Sequence, residues 1–321
     1  MSLHRLTQIV MGVPNVERTA AYYADFGLTP TNDSPGATAR PHPAVHTFST
    51  VDGGEQLRIT HSPRRRLIEL GVGAEDPDDL DRVAASLARL DVPVHRTPDS
   101  VAAVDPGTEV LVRVVLSPRV SQTPAPAGPY NAPGSTIRLH ERAPGILRAN
   151  PVRPRKLGHV VLGSTDQATS QRFFQEGIGF KVSDTVKGMA AFMRCSTDHH
   201  NVLVQQAPVA FLHHTSWQVD DVDEIGRGAT AMLEADPGRH TWGLGRHHIG
   251  SNFFWYLKDP AGNFSEYYSD LDCIVDDALW KPGVFEEDAK ALYSWGPPPP
   301  ASFLAPEDLA ALMTGAHAPA Q

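Results

Sequence analysis

The sequence has only two cysteines, Cys195 and Cys273, among its 321 residues. Two thiols are too few for a disulfide framework or for a metal site built from thiolates. Any metal ion that this chain binds must therefore be held by histidine and carboxylate side chains. Histidine is in mild excess, with 15 residues, and several of these stand in pairs in the second half of the chain.

Positive charge is also scarce, since 28 Lys and Arg stand against 37 Asp and Glu, for a formal net charge of -9. This balance offers no basic surface for a phosphate backbone or an anionic lipid, so we expect neither nucleic acid nor a membrane as partner. The opening residues lack the basic-then-apolar pattern of a signal peptide, and no apolar run approaches membrane-spanning length. We expect a cytoplasmic protein.

The two halves of the sequence repeat one design. Residues 6–15 have the pattern of a strand and residues 16–26 that of an amphipathic helix, and residues 157–166 and 167–177 repeat this order. Each half also contains a second unit of strand, acidic turn and helix, at residues 66–90 and 212–233. The pattern predicts four modules, each a strand, a helix and further strands, that arose by internal duplication.

Proline marks the ends of the two halves. Residues 117–155 include Pro118, Pro124, Pro126, Pro129 and Pro133 and predict a connector on the surface. After Asp270 the pattern turns irregular, and the sequence contains Trp295-Gly-Pro-Pro-Pro-Pro and then allows one short helix at most. We therefore expect a first domain at 1–116, the connector at 117–155, a second domain at 156–285 and a Pro-rich tail at 286–321.

Three ionisable residues of the second half fall in predicted strands, namely His159, His214 and Glu266. Turning an ionisable group toward the interior is costly unless it is paired or bound to a metal, and a shared site would offset that cost. Two imidazoles and one carboxylate form the arrangement expected of a non-haem Fe(II) site that activates oxygen. Taken singly, each residue has an ordinary alternative, as a hydrogen-bonded core histidine, a histidine on an edge strand or a solvated glutamate.

The repeat bears on this choice, because the matching positions of the first half are Gln8, Glu69 and, by a less certain alignment, Leu111. The first half therefore has none of the three residues at the matching positions. That pattern is expected if one site is functional and its duplicate is vestigial.

Four motifs give the sequence a family resemblance: LGHVVL around His159, CSTDHHNVLV around His200, FLHHTSWQVDDVDE around His214, and GRHHIGSNFFWYLKDPAGNFSEYYSD at residues 245–270. With these motifs the chain resembles the type I extradiol ring-cleavage dioxygenases of the vicinal oxygen chelate superfamily. The resemblance covers nearly the whole length, and the last motif is the most diagnostic.

The resemblance implies an α+β fold, in which four βαβββ modules pair into two vicinal oxygen chelate domains, each a curled mixed sheet flanked by helices. It implies a metal-free first domain and iron ligands at His159, His214 and Glu266. It also implies Fe(II), with Mn(II) as the alternative, a catecholic substrate, dioxygen, a ring-opened semialdehyde or keto acid as product, and a homo-oligomer.

By the same resemblance His200 takes the position of an acid-base histidine beside the metal, His247 that of a histidine hydrogen-bonded to a substrate oxygen, and Tyr256 that of a tyrosine beside the substrate hydroxyl. His248 is a rival for His247, because the sequence carries one residue more before Ser-Asn than the family pattern. His200 could instead lie in a polar hairpin turn, and Tyr256 could be core packing.

The expected substrate pocket includes Val161, Phe192, Trp242, Arg246 and His248. Relatives that act on carboxylated catechols carry an arginine and a polar residue where this chain has Trp242 and Val161, so we expect a catechol with an apolar substituent. The ordinary alternative for Arg246 is a structural role or a charge outside the pocket, and Arg246 could bind an acid if its side chain turned inward. Two other functions on the same fold remain open: a metal-dependent enzyme of the glyoxalase or thiol-transferase type, and a binding protein of the drug-resistance kind.

Overall fold

The computed structural model describes residues 3–31, 45–125 and 128–314. Within these ranges the chain forms two large mixed β-sheets, of eight and nine strands, with helices packed on them. The predicted α+β class is confirmed.

The first half is made of two modules of the same order. The first comprises β1 (Leu3–Val13), α1 (Val16–Asp25), β2 (Thr29–Thr31), β3 (His46–Thr50) and β4 (Gly54–His61). The second comprises β5 (Arg66–Ala74), α2 (Pro77–Arg89), β6 (His95–Thr97), β7 (Ser100–Val104) and β8 (Leu111–Leu116). The helix α2 begins at a capping box, in which the Asp76 side chain accepts from the Asp79 amide and the Asp79 side chain accepts from the Asp76 amide.

The second half repeats this order. Between the halves, the described part of the connector contains one helical turn, α3 (Pro144–Leu147). The third module comprises β9 (Lys156–Ser164), α4 (Gln167–Arg172) with a π-helical turn at Phe173–Ile178, β10 (Lys181–Val186), β11 (Ala190–Arg194) and β12 (Val202–Gln206). The fourth comprises β13 (Phe211–Gln218), α5 (Val222–Ala235), β14 (His240–Arg246), β15 (Phe253–Lys258) and β16 (Phe264–Ser269).

The two sheets share one pairing scheme. Their strand orders are β2-β3-β4-β1-β5-β8-β7-β6 and β14-β15-β16-β13-β9-β12-β11-β10-β17. In the first, β1 lies parallel to β4 and antiparallel to β5, and in the second β9 lies parallel to β12 and antiparallel to β13. Each sheet is therefore centred on the two strands that open its modules.

The halves also share a core. The Phe26 ring stacks on the Tyr267 ring at a centroid distance of 3.9 Å, and the Tyr267 hydroxyl donates to the Phe26 carbonyl at 2.7 Å. The Tyr22 hydroxyl lies 2.5 Å from the Ser265 hydroxyl. Because Ser265 and Tyr267 flank Glu266 in β16, these contacts fix the strand that carries the candidate carboxylate ligand.

The tail returns across the second sheet. It begins with β17 (Gly283–Phe285), a short strand parallel to β10 that the sequence pattern did not predict, and ends with α6 (Ala301–Leu304) and α7 (Leu309–Thr314). No helix in the described ranges is long and apolar enough to cross a bilayer.

A buried ion pair fastens the tail to both halves. The Arg65 side chain is fully buried and donates to the two carboxylate oxygens of Asp308 at 2.5 and 2.7 Å. Its third contact is a hydrogen bond of 2.6 Å to the Leu212 carbonyl in β13. One guanidinium thus joins the first half, the tail and the strand that carries His214.

We predict that Asp308→Ala destabilises the protein by about 3 kcal/mol, since the change leaves the buried Arg65 guanidinium without its carboxylate. The neighbouring Glu307→Ala removes an exposed ion pair with Lys258 and should cost less than about 0.5 kcal/mol. Urea unfolding of the two variants checks this difference, and equal midpoints would contradict it.

Candidate metal centre

Strand register brings three ionisable residues of the second sheet together. His159 in β9 and Glu266 in β16 are both cross-strand partners of Ser216 in β13. His214 lies two residues before Ser216, so it points to the same face of the sheet. The candidate ligand atoms of His159, His214 and Glu266 lie within 4.8 Å of one another.

The same register continues the site on both sides. Tyr256 in β15 is the partner of Glu266, and Trp242 in β14 is the partner of Tyr256. On the other side, Val161 is the partner of His214 and of Leu203, which in turn pairs with Phe192. Two neighbouring rows across one sheet therefore supply both the ionisable and the apolar residues of the site.

Glu266 is fully buried, with none of its surface exposed. Burial opposes its ionisation, but the neighbouring imidazoles of His159 and His247 hold the pKa of Glu266 well below its usual range. The amide of Asn252 donates to Glu266 Oε1 at 3.2 Å. Glu266 Oε2 lies 3.1 Å from His159 Nε2 and 3.7 Å from His214 Nε2.

The tautomer of His214 is fixed by the histidine that precedes it. His213 Nε2 lies 2.8 Å from the Phe303 carbonyl, and His213 Nδ1 lies 2.8 Å from His214 Nδ1. Burial lowers the pKa of both rings, that of His213 to about 4, so each carries a single proton. Because the carbonyl can only accept, His213 is protonated on Nε2, and His214 must donate its Nδ1 proton to His213.

This arrangement leaves a lone pair on His214 Nε2, directed toward Glu266. Both His214 Nε2 and Glu266 Oε2 are buried without a hydrogen-bond partner among the described residues. Unpaired buried nitrogen and oxygen atoms of this kind are costly unless a cation joins them. The donor set therefore fits a divalent metal ion bound by two neutral imidazoles and a carboxylate.

A cavity of about 450 Å³ opens beside these atoms. Its walls include His159, His200, His214, His247 and Tyr256, together with apolar side chains. The apolar wall is formed by Val161, Phe192, Leu203, Trp242, Ile249 and Phe303. Of the described residues that line the cavity, none is Lys or Arg, and Glu287 and Asp288 lie at its exposed edge.

His200 lies on this wall, with its ring centroid 4.2 Å from that of His159 and 5.2 Å from that of Phe192. It is buried, and burial lowers its pKa well below the usual value. His200 thus sits beside a candidate ligand and faces the cavity, in a turn between β11 and β12. The sequence also allowed His200 to lie in a polar hairpin turn. His200 does lie in a turn, but its side chain is buried.

His247 and not His248 reaches the cavity. The Nδ1 of His247 is hydrogen-bonded to the Leu292 carbonyl, and its Nε2 lies 2.9 Å from the Tyr256 hydroxyl. Since a carbonyl only accepts, His247 donates from Nδ1, and the neutral form of the ring accepts from the Tyr256 hydroxyl at Nε2. The His248 ring lies against Phe285 outside the lining, so its assignment as a substrate contact is not supported.

Arg246 likewise points away from the cavity. Its guanidinium donates to the Ser251 carbonyl at 2.6 Å and to Asp270 Oδ2 at 2.7 Å, and it stacks over the Phe253 ring at 3.8 Å. His247 follows Arg246 directly at the end of β14, and successive residues of an extended chain point to opposite sides. Its expected position as a substrate contact is therefore corrected, and with it the possibility that Arg246 binds an acid.

The first half carries different residues at the matching positions. Glu69 and Leu111 are register partners in the first sheet, as His214 and Phe264 are in the second. Glu266 lies two residues after Phe264, so its counterpart lies two residues after Leu111 and is Arg113. The predicted alignment of Glu266 with Leu111 was wrong. Glu69 and Arg113 form a bidentate ion pair at 2.8 and 3.0 Å, so the first half neutralises its own charges where the second half presents lone pairs.

Several residues that the sequence analysis did not single out complete the site. Asn252, His199, His213, Leu292 and Phe303 are within hydrogen-bond or ring contact of the candidates named above, and Asp184 is hydrogen-bonded to His199. His199 and His213 could have been found from the paired histidines of the motifs. The other contacts join positions far apart in the chain, which no local pattern indicates.

Comparisons with known proteins place this geometry in a family. A profile of the Glyoxalase/Bleomycin resistance protein/Dioxygenase superfamily matches residues 156–267. Metapyrocatechase 2 of Cupriavidus necator is 30% identical over 310 residues, which cover 94% of this chain and 92% of that protein. The manganese-dependent 2,3-dihydroxybiphenyl 1,2-dioxygenase of Geobacillus genomosp. 3 is 29% identical over 145 residues, 42% of this chain and 46% of that protein. The iron-dependent extradiol dioxygenase of Rhodococcus jostii (strain RHA1) is 26% identical over 155 residues, 44% and 50% of the two chains.

Solved structures share the fold. The Mn(II)-bound glyoxalase from Novosphingobium aromaticivorans superposes with a TM-score of 0.72 at 23% identity and covers 93% of each chain. Homoprotocatechuate 2,3-dioxygenase from Arthrobacter globiformis gives a TM-score of 0.71 at 17% identity and covers 95% of this chain and 91% of that one. With the similarity to Metapyrocatechase 2 along nearly its whole length, the chain belongs to the type I extradiol ring-cleavage dioxygenase family of the vicinal oxygen chelate superfamily.

Proposed function

We propose that the chain is an extradiol dioxygenase that uses one Fe(II), held by His159, His214 and Glu266, to open the ring of an apolar-substituted catechol with dioxygen. The product would be a ring-opened semialdehyde or keto acid. The observation that carries the proposal is the pair of unpartnered buried donor atoms, His214 Nε2 and Glu266 Oε2, beside a cavity that His159 and His214 line.

Two imidazoles and one carboxylate suit Fe(II), which when bound would supply a charge that stabilises a catecholate oxyanion and would allow electron transfer between the substrate and dioxygen. The same donor set also accepts Mn(II), and the relatives include both an iron-dependent and a manganese-dependent enzyme. We propose Fe(II) as the active metal. Turnover after reconstitution of the metal-free chain with either ion distinguishes the two.

Tyr256 and His247 would hold a hydroxyl of the substrate in place. Tyr256 donates to His247 Nε2, at 2.9 Å, so its own oxygen lone pairs remain available to a catechol O–H. A proton taken from the substrate can thus pass along Tyr256 to His247, whose Nδ1 proton is held by the Leu292 carbonyl. His200, which faces the same cavity, would hold and return a proton as the ring opens.

The apolar wall would exclude water from the reacting groups and select the substrate. A carboxylate placed against Val161, Phe192 and Leu203 would be desolvated without a cation, which costs several kcal/mol. An alkyl or aryl substituent gains apolar contact there instead. These positions support a catechol with an apolar group next to one hydroxyl.

Oxygen uptake with substituted catechols tests the function. The chain, purified anaerobically and loaded with Fe(II), should consume one O2 for each ring-fission product formed, which is yellow and can be followed by absorbance. A glyoxalase-type enzyme would turn over its substrate without oxygen uptake, and a binding protein would retain the catechol unchanged. Either result would refute the proposal.

The first prediction from this site is a stoichiometry of one metal ion per chain, because Gln8 and Arg113 cannot replace an imidazole and a carboxylate. His214→Ala should abolish both metal binding and turnover. Glu69→Ala, at the matching position of the first half, should leave metal content unchanged. Metal analysis by mass spectrometry gives the count, and two equivalents or full retention in His214→Ala would refute the assignment.

His200→Phe should keep the metal and the affinity for substrate while turnover falls on the order of 10² to 10⁴, the usual range for a positioned acid-base group. Steady-state kinetics with parallel metal analysis separates these effects. Loss of the metal would identify His200 as a ligand, and an unchanged rate would remove it from proton transfer.

The third prediction concerns substrate preference. A phenyl group that buries ~100 Å² gains about 2.5 kcal/mol, so 3-phenylcatechol should exceed 3,4-dihydroxyphenylacetate by tens of fold in kcat/KM. Phe192→Ala should lower kcat/KM for 3-phenylcatechol more than for catechol itself, because only the substituent meets that wall. A preference for the acid, or equal losses for both substrates, would show that the pocket is misassigned.

A further inference from the structure

A second pair of adjacent histidines lies on the opposite side of the site from His213 and His214. His199 Nδ1 lies 3.0 Å from His200 Nδ1, and His199 Nε2 lies 2.9 Å from Asp184 Oδ2. The three side chains are buried, with His199 fully so. They form one chain of hydrogen bonds that ends at His200 Nε2 on the cavity wall.

The outer end of this chain is fixed by the backbone. Asp184 Oδ1 accepts from the Gly283 amide at 2.6 Å, and Asp184 lies in β10, which pairs with β17 from that same residue onward. The His199 amide donates to the Asp272 carbonyl, and its ring packs against Trp280 at 5.4 Å between centroids. Neither Asp184 nor His199 lines the cavity, so neither can touch the substrate.

We infer that Asp184 and His199 are positioning residues that set the tautomer of His200, with the proton on Nδ1 and a lone pair on the Nε2 that faces the cavity. With a lone pair on Nε2, His200 would first accept a proton in the reaction. This catalytic consequence rests on the proposed function.

The argument follows from what each group can donate. A carboxylate only accepts, so His199 must direct its Nε2–H at Asp184 and is left with a lone pair on Nδ1. The short contact between the two Nδ1 atoms then requires His200 to supply the proton. A neutral imidazole carries one N–H in all, so His200 in this form keeps a lone pair on Nε2.

Asp184→Asn reverses this chain without removing it. The Gly283 amide can only donate, so the variant must keep its side-chain oxygen toward Gly283 and turn its NH2 toward His199 Nε2. His199 then accepts there and donates from Nδ1, and His200 is driven to carry its proton on Nε2. Exchanging a carboxylate for an amide behind a catalytic histidine is known to force the unproductive tautomer while the geometry stays intact.

The direct test is the tautomer itself, read from histidine ¹⁵N shifts in the metal-free full-length chain, with His200 identified by its loss in His200→Phe. We expect Nδ1–H in the native chain and Nε2–H in Asp184→Asn. An Nε2–H tautomer in the native chain, a doubly protonated His199, or no change in Asp184→Asn would each overturn the inference. This readout does not need a turning-over enzyme, so it stands or falls separately from the proposed function.

The second test is the steady-state kinetics of the Fe(II)-loaded protein. Asp184→Asn should lower kcat on the order of 10² to 10⁴ with KM and metal content unchanged. Asp277→Asn, a matched change at an acid that pairs with Arg194 outside the chain of histidines, should leave kcat unchanged. Equal losses in both variants would refute a role specific to Asp184.

A double-mutant cycle tests whether Asp184 acts on His200 through His199. His199→Phe removes the link between Asp184 and His200 and should cost less in kcat than Asp184→Asn, because it frees the tautomer of His200 without reversing it. Adding Asp184→Asn to His199→Phe should then cause no further loss. Additive losses would mean that Asp184 acts by another route, and the inference would be wrong.

Discussion

The site depends on one buried carboxylate. Glu266 has no exposed surface and lies in the middle of a sheet, with Asn252 holding one oxygen and imidazoles within 3.7 Å of both. A lone carboxylate in such a position needs a positive charge. The same burial keeps His214 and His200 neutral, so the imidazoles cannot all supply that charge. One divalent cation would neutralise the Glu266 carboxylate, and it would be compatible with neutral histidines, because a metal ion binds imidazole only in its neutral form.

The first half contrasts with this arrangement. It has the same pairing of central strands, but Glu69 meets Arg113 where His214 would face Glu266, and the two charges neutralise each other. The two halves share a core in which the Phe26 ring stacks on the rings of Tyr22 and Tyr267. The first half instead orients the second, through contacts on either side of Glu266 and through Arg65 beneath β13.

The sequence allowed much of this to be predicted, for reasons that are local. Alternation and capping residues marked the four opening strands and their helices, and His159, His214 and Glu266 could be chosen because each interrupts an apolar strand pattern. Leu111 was the wrong counterpart because the register of β5 against β8 depends on the length of the intervening loops. Arg246 was misplaced because the direction of a strand residue changes with every bulge, and β14 contains two shifts in register. The strand β17 has three residues and no alternation, so nothing in its own sequence marks it.

Contacts between distant positions decide where the protons of the site lie. The Phe303 carbonyl fixes His213 and through it His214, and the Leu292 carbonyl fixes His247. Both carbonyls belong to the tail, which the sequence presented only as Pro-rich and irregular. Carbonyls cannot donate, so each leaves a lone pair on the Nε2 at the far end of its chain of hydrogen bonds. The tail therefore does more than cover the cavity: by docking through Asp308 on Arg65, it supplies the acceptors that give two cavity histidines their tautomers.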